Sequence, residues 1–177
     1  TPAPSAAGAT GLGDFDRDGN LDFYGITFSG QMRLYRGTGT GGVYASTPVI
    51  AAAWGNTVRT FPVGDFNGDG YRDVGRTTNA GEMQVAYGGA GATLGAPQQI
   101  ATGWNGYTAV LGGFDFDGDG KPDVIARDAA GALWLYRADG AGGWISATPT
   151  QIGNGWASFT SIFCGGNFDG QGGVDIL

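Results

Sequence analysis

Histidine is missing from this chain, and glutamate and cysteine each occur once. Without histidine the commonest general base is gone, and no GxSxG elbow is present, so a Ser/His/Asp hydrolase is excluded on residues alone. The lone cysteine, Cys164, forms no disulfide framework and no thiolate metal site. Basic residues are scarce as well: nine Lys and Arg face sixteen acids, for a net charge of −7. Phosphate neutralisation needs a basic stripe, so no nucleic-acid partner is expected. No uninterrupted apolar run approaches the ~20 residues of a membrane span, and no basic-then-apolar leader opens the segment. The expectation is a soluble, already processed piece without membrane insertion.

Glycine is abundant. Thirty-seven glycines without a period of three point to tight turns between short strands, hence to an all-β fold, and 41% hydrophobic residues suffice for a core. Fifteen of the sixteen acids are Asp, Glu82 being the exception, and thirteen of those fifteen lie in four short clusters. Three divalent cations would bring the charge from −7 to −1. The charge deficit therefore reads as ligand charge.

The clusters recur. GDFDRDGNLD from Gly13 returns as GDFNGDGYRD from Gly64, as FDFDGDGKPD from Phe114 and, worn, as GNFDGQGGVD from Gly166. Their first metal-type residues are Asp14, Asp65, Asp115 and Asn167, at steps of 51, 50 and 52 residues. Sixteen residues after the first three stand Gly30, Gly81 and Gly131, and eleven residues before the last three stand Trp54, Trp104 and Trp156. Agreement at separate offsets marks a repeat architecture. In the same frame Cys164 corresponds to Pro62 and Gly112, which suits a small buried filler.

Each unit has strand patterning. Met32 and Leu34, Met83 and Val85, and Leu133 and Leu135 alternate with Arg33 and Tyr35, Gln84 and Ala86, and Trp134 and Tyr136, a period of two. Apolar runs such as 58–63 and 124–126 flank the acidic loops and make them hairpin connections; the Gly-rich stretches 37–42, 88–95 and 140–143 make the next turns. A fourth strand runs through Val49 and Ile50, Gln99 and Ile100, and Gln151 and Ile152. Four antiparallel strands per ~50 residues describe a β-propeller blade. The predicted units are 3–53, 54–103, 104–155 and an incomplete 156–177, about three and a half blades.

Within the loops, carboxylates at positions 1, 3 and 5 converge on one centre, a glycine allows the turn that brings in the carbonyl of position 7, and position 9 closes the sphere. The predicted ligands are Asp14, Asp16, Asp18, the carbonyl of Asn20 and Asp22; Asp65, Asn67, Asp69, the carbonyl of Tyr71 and Asp73; and Asp115, Asp117, Asp119, the carbonyl of Lys121 and Asp123. All-oxygen ligands in a flexible loop favour Ca²⁺ over Mg²⁺ or Zn²⁺. An EF-hand needs Glu at position 12, where this chain has Gly25, Arg76 and Ala126. Plain Asp/Gly turns without metal are the competing reading, disfavoured because they give no reason for an Asp at position 9 in every copy. The fourth loop, Asn167, Asp169, Gln171 and Asp175, offers two carboxylates and is expected to bind metal weakly or not at all.

With these loops in register with a GxLWLY-like strand, the chain resembles the FG-GAP/VCBS repeats of integrin α-subunit propellers and of many secreted bacterial proteins. The resemblance covers essentially the whole chain. It implies that each loop joins the first two strands of a blade and binds Ca²⁺, carried over to Asp14, Asp16, Asp18 and Asp22, to Asp65, Asn67, Asp69 and Asp73, and to Asp115, Asp117, Asp119 and Asp123. It further implies a secreted, non-catalytic adhesion or binding module, often attached to a hydrolase or toxin. The expected partners are a protein or cell-surface glycan, together with remaining blades or a neighbouring domain.

An enzyme built on paired carboxylates is the first rival, but a feature copied three times suits fold maintenance better than a unique active site. A lectin is the second. The in-register Trp54, Trp104 and Trp156 are expected to pack between blades, whereas Trp134 and Trp144 break the repeat and are candidate ligand-binding residues, packing and binding being evenly balanced for them. Since the chain starts just after the tryptophan position of a unit, at Ala3, and ends two residues past Asp175, it is expected to be a piece of a larger propeller. Two such chains would not complete a ring, because each ends on the same first two strands with which the next begins.

Overall fold

Alternation of apolar and polar residues gives each repeat a strand with two unlike faces, and the chain pairs these strands into three antiparallel sheets of four. The computed structural model describes residues 12–52, 54–164, 166–170 and 173–177. The first sheet comprises β1 (Leu12–Gly13), β2 (Asp22–Ile26), β3 (Met32–Tyr35) and β4 (Val49–Ala51) in that order. The second contains β5 (Thr57–Gly64), β6 (Asp73–Thr78), β7 (Met83–Ala86) and β10 (Gln98–Ala101), with a small arm, β8 (Gly88–Gly89) and β9 (Thr93–Leu94), between its last two strands. The third runs β11 (Tyr107–Phe114), β12 (Asp123–Asp128), β13 (Leu133–Arg137) and β14 (Thr150–Gly153). A fourth unit is represented by a bridge between Cys164 and Ile176.

This all-β architecture of successive four-stranded sheets is that of propeller blades, and the described sheets do not close a ring. The strand positions follow the sequence pattern, with one refinement: the Gly-rich stretches are short arms rather than simple turns, as the β8–β9 pair and the bridges Gly37–Val43 and Ala138–Trp144 show.

Two recurring sequence features meet at each blade junction. The backbone N–H of Trp54 donates to the carbonyl of Gly30 at 3.0 Å, Trp104 to Gly81 at 2.9 Å and Trp156 to Gly131 at 3.0 Å. Those glycines sit at φ of 75°, 80° and 82°, which favours a residue without Cβ. Hydrophobic burial then stacks the blades. Phe15, Met32, Leu34, Ile50 and Trp54 of the first pack on Val74 and Ala86 of the second. The opposite face of the second, Phe61, Val63, Met83 and Val85, packs with Trp104 on Val124, Ala126 and Tyr136 of the third. Leu111, Ile125, Leu133 and Leu135 receive Ile162 and Cys164. Cys164 is buried, and burial pushes its thiol up to about 12, so it serves as a packing residue rather than a nucleophile.

Candidate metal centres

The three acidic loops join the first and second strands of their blades, and the same hydrogen-bond wiring shapes each. Carboxylate oxygens of position 1 accept backbone N–H groups from positions 5 and 6: Asp14 from Asp18 and Gly19 at 2.9 Å, Asp65 from Asp69 and Gly70 at 2.9 and 2.8 Å, Asp115 from Asp119 and Gly120 at 3.1 and 2.8 Å. Position 3 accepts from position 5, and position 5 accepts the N–H of Asn20, Tyr71 or Lys121. The loop therefore curls around its own side chains and gathers them. One oxygen from each of Asp14, Asp16 and Asp18 lies within 4.8 Å of the others, and the same holds for Asp115, Asp117 and Asp123. Among the described residues no such carboxylate triad forms in the second loop, where Asn67 stands at position 3, or in the fourth.

Position 9 has a second task that its spacing did not reveal. Asp22, Asp73 and Asp123 are essentially inaccessible to solvent. One oxygen of Asp22 accepts the N–H groups of Phe15 and Asp16, at 2.9 and 3.3 Å, while the other accepts the N–H of Gly37 at 2.9 Å. Asp73 likewise binds Phe66 at 2.8 Å and Gly88 at 2.7 Å. In the first two blades the residue is a clasp between the start of the loop and the segment just past the third strand. Even the worn fourth loop keeps half of it, with Asp175 accepting Phe168 and Asp169 N–H at 2.6 and 3.3 Å. The loop-side N–H bond is thus common to the position-9 Asp of every copy, and such a bond forms in plain Asp/Gly turns without metal as well. The glycine at position 24 of the frame (Gly37, Gly88) opens a Gly-rich stretch in the sequence, and nothing in that pattern signals the clasp.

Burial among carboxylates raises the position-9 groups. Asp73 and Asp123 are each pushed up to about 6, and Asp22 is raised also, burial being the largest cause in all three. Nearby cations sit on the rim: Arg36 lies 3.6 Å from Asp16, Arg137 3.4 Å from Asp117 and Lys121 3.5 Å from Asp119, all partly exposed and hence weak.

The remaining candidates separate. Trp144 joins the packing between the second and third blades, its ring 5.0 Å from Phe66, 5.3 Å from Tyr136 and 6.2 Å from Trp104. The Trp134 indole donates to Asp128 at 2.9 Å and holds that carboxyl below its usual range. In the fourth loop Asn167 and Asp169 are exposed, and Gln171 lies outside the described residues. A cleft of about 360 Å³ opens between the second and third blades, lined by Asp65, Arg72, Phe114, Asp115, Lys121 and Asp139. It holds neither candidate tryptophan.

The family profile described as FG-GAP-like repeat matches residues 14–75 and 115–177, well over half of the chain. No curated relative matches. Among solved structures the chain is similar to a lectin of Agrocybe aegerita, described as recognising non-reducing terminal N-acetylglucosamine, with a TM-score of 0.67 at 18% identity. The similarity covers 97% of this chain and 46% of that one, so the chain spans about half the lectin's length, and at this identity the likeness concerns the fold.

Proposed function

We propose, for a chain that belongs to the FG-GAP-like repeat family, that it works as a calcium-stabilised, non-catalytic binding module outside the cell. The observation that carries the calcium reading is the convergence of carboxylate oxygens within 4.8 Å at Asp14, Asp16 and Asp18 and at Asp115, Asp117 and Asp123. Like charges at that separation repel, and a cation relieves the repulsion. The donor set fits calcium. Every candidate ligand is an oxygen, and Asp123 carries a buried Oδ1 with no hydrogen-bond partner, a group costly to leave unsatisfied. The residues that would hold the ions are Asp14, Asp16, Asp18, Asn20 and Asp22; Asp65, Asn67, Asp69, Tyr71 and Asp73; and Asp115, Asp117, Asp119, Lys121 and Asp123. Bound calcium would supply charge neutralisation and pin the hairpins, without chemistry on a substrate. Affinity as weak as about 10⁻⁴ to 10⁻³ M, as in extracellular modules, suits a calcium-rich exterior.

A calorimetric scan in chelator and in millimolar calcium tests this directly. The melting temperature is expected to rise with calcium, and equal melting points would overturn the reading.

For the ligand, the cleft between the second and third blades favours a polyhydroxylated partner such as a surface glycan. Arg72 and Lys121 offer donors, and Asp65, Asp115 and Asp139 offer acceptors. A glycan array beside a protein pull-down discriminates the partners. Sugar binding that disappears in Arg72→Ala supports the glycan; protein capture without sugar binding supports adhesion.

A further inference from the structure

Loops 1 and 3 carry the same four carboxylates, and each has an arginine, Arg36 or Arg137, beside its position-3 Asp. They differ at the clasp. In the first two blades a glycine stands two residues past the third strand, and its N–H reaches the position-9 carboxylate. A Cβ on Gly37 would run into the carbonyl oxygen of Leu21, and one on Gly88 into that of Arg72, so the close approach depends on glycine. The third blade has Ala138 at this place, its side chain buried between blades. Its Asp123 keeps the loop-side bonds, Oδ2 accepting Phe116 and Asp117 N–H at 2.9 and 3.3 Å, but Oδ1 is buried without a hydrogen-bond partner. Correspondingly, Asp123 joins a convergent carboxylate triad, whereas the triad of loop 1 is Asp14, Asp16 and Asp18 without Asp22.

We infer that the exchange of glycine for Ala138 divides the position-9 aspartates into two kinds, and makes loop 3 the tightest calcium site. Asp22 and Asp73 share both oxygens with N–H donors and act first as backbone clasps. Asp123 offers one oxygen free of any donor and acts first as a metal ligand. A backbone difference works in the same direction: position 4 is Gly118 in loop 3 but Arg17 at φ 65° in loop 1, a left-handed conformation that strains a residue with Cβ. Lys121 beside Asp119 opposes the trend, but its ammonium is partly exposed and screened. The inference rests on the calcium reading above and ranks the sites within it.

The test uses the whole chain titrated with calcium and followed by the backbone amide signals of Gly19, Gly70 and Gly120, one reporter per loop. Gly120 is expected to reach its midpoint at about tenfold lower calcium than Gly19. Ala138→Gly should restore the missing hydrogen bond and bring the Gly120 midpoint close to that of Gly19. Asp123→Asn should weaken loop 3 at least tenfold while leaving calcium-free melting unchanged or raised, whereas Asp22→Asn should mainly lower calcium-free melting. Midpoints that coincide in the unaltered chain, or a Gly120 midpoint unmoved by Ala138→Gly, overturn the ranking and leave calcium binding intact. Absence of any shift at millimolar calcium overturns the calcium reading itself.

Discussion

A carboxyl buried among other carboxyls holds its proton late, and Asp73 and Asp123, both pushed up to about 6 from 3.8, turn that into a pH dependence. Each binds a proton more tightly in the folded than in the unfolded chain. In calcium-free buffer their protonation therefore favours the fold. This contribution is complete below 3.8 and is lost as pH rises through about 6. Its scale is up to about 3 kcal/mol per carboxyl. On the calcium reading a bound ion would reverse the sign, because it would hold the ionised form. Melting curves in calcium-free buffer should move upward between pH 7 and 5, while curves in millimolar calcium move downward over the same interval. Parallel movement of the two sets would contradict the assignment. Trp144 makes a separate prediction: placed among Phe66, Trp104 and Tyr136, it should cost about 3 kcal/mol when changed to Ala. If it packs rather than binds, the loss reads out in denaturant midpoints, and any sugar affinity should survive in the folded fraction.

Among the elements, the junction from one blade to the next combines a left-handed glycine with a close approach, and each part can be weighed alone. Gly131 has φ 82°, its carbonyl accepts the Trp156 N–H, and a Cβ there would collide with the backbone N of Ala157. Gly118 has the same φ, but a Cβ there meets nothing within 4 Å. Gly118→Ala should cost about 1 kcal/mol, the left-handed penalty alone. Gly131→Ala should cost about 3 kcal/mol or more, since the junction must also move. Equal costs in urea unfolding would show that the junction is loose. Much of this level was legible in the sequence. Gly30, Gly81 and Gly131 and their tryptophans stood out by spacing, and they turn out to be hydrogen-bonded to one another. The clasp was not legible, because it joins Asp22 to Gly37 across fifteen residues through a backbone N–H, which has no side-chain signature. The surroundings of Trp144 were hidden for a related reason: it replaces Val43 in the repeat, and only the packed structure shows its ring against Phe66 of the neighbouring blade.

Across the whole molecule, stacking makes stability depend on how many faces of a blade are covered, as in other quasi-one-dimensional arrays. The second strands show this most plainly. All six residues of β6 are buried and five of six in β12, whereas β2 leaves Phe23 at 40% and Ile26 at 39% exposure. Phe23, Val74 and Val124 occupy one register position, directly after the position-9 Asp, yet Val74 and Val124 are fully buried against the preceding blade. Phe23 instead stacks on Tyr35 of its own sheet, with ring centroids 4.8 Å apart. Placing Asp at each of the three positions measures the coverage of the faces. Val74→Asp and Val124→Asp bury an unpaired charge and should cost about 4 kcal/mol or more, enough to unfold a marginal chain. Phe23→Asp should cost about 1 kcal/mol, the loss of one stacked pair on a partly exposed face. Hydrogen exchange supplies the companion measurement, with β6 and β12 amides the slowest and β2 amides faster by orders of magnitude. If Phe23→Asp instead matched Val74→Asp and β2 were as protected as β6, the first blade would have to be covered in solution by another apolar face.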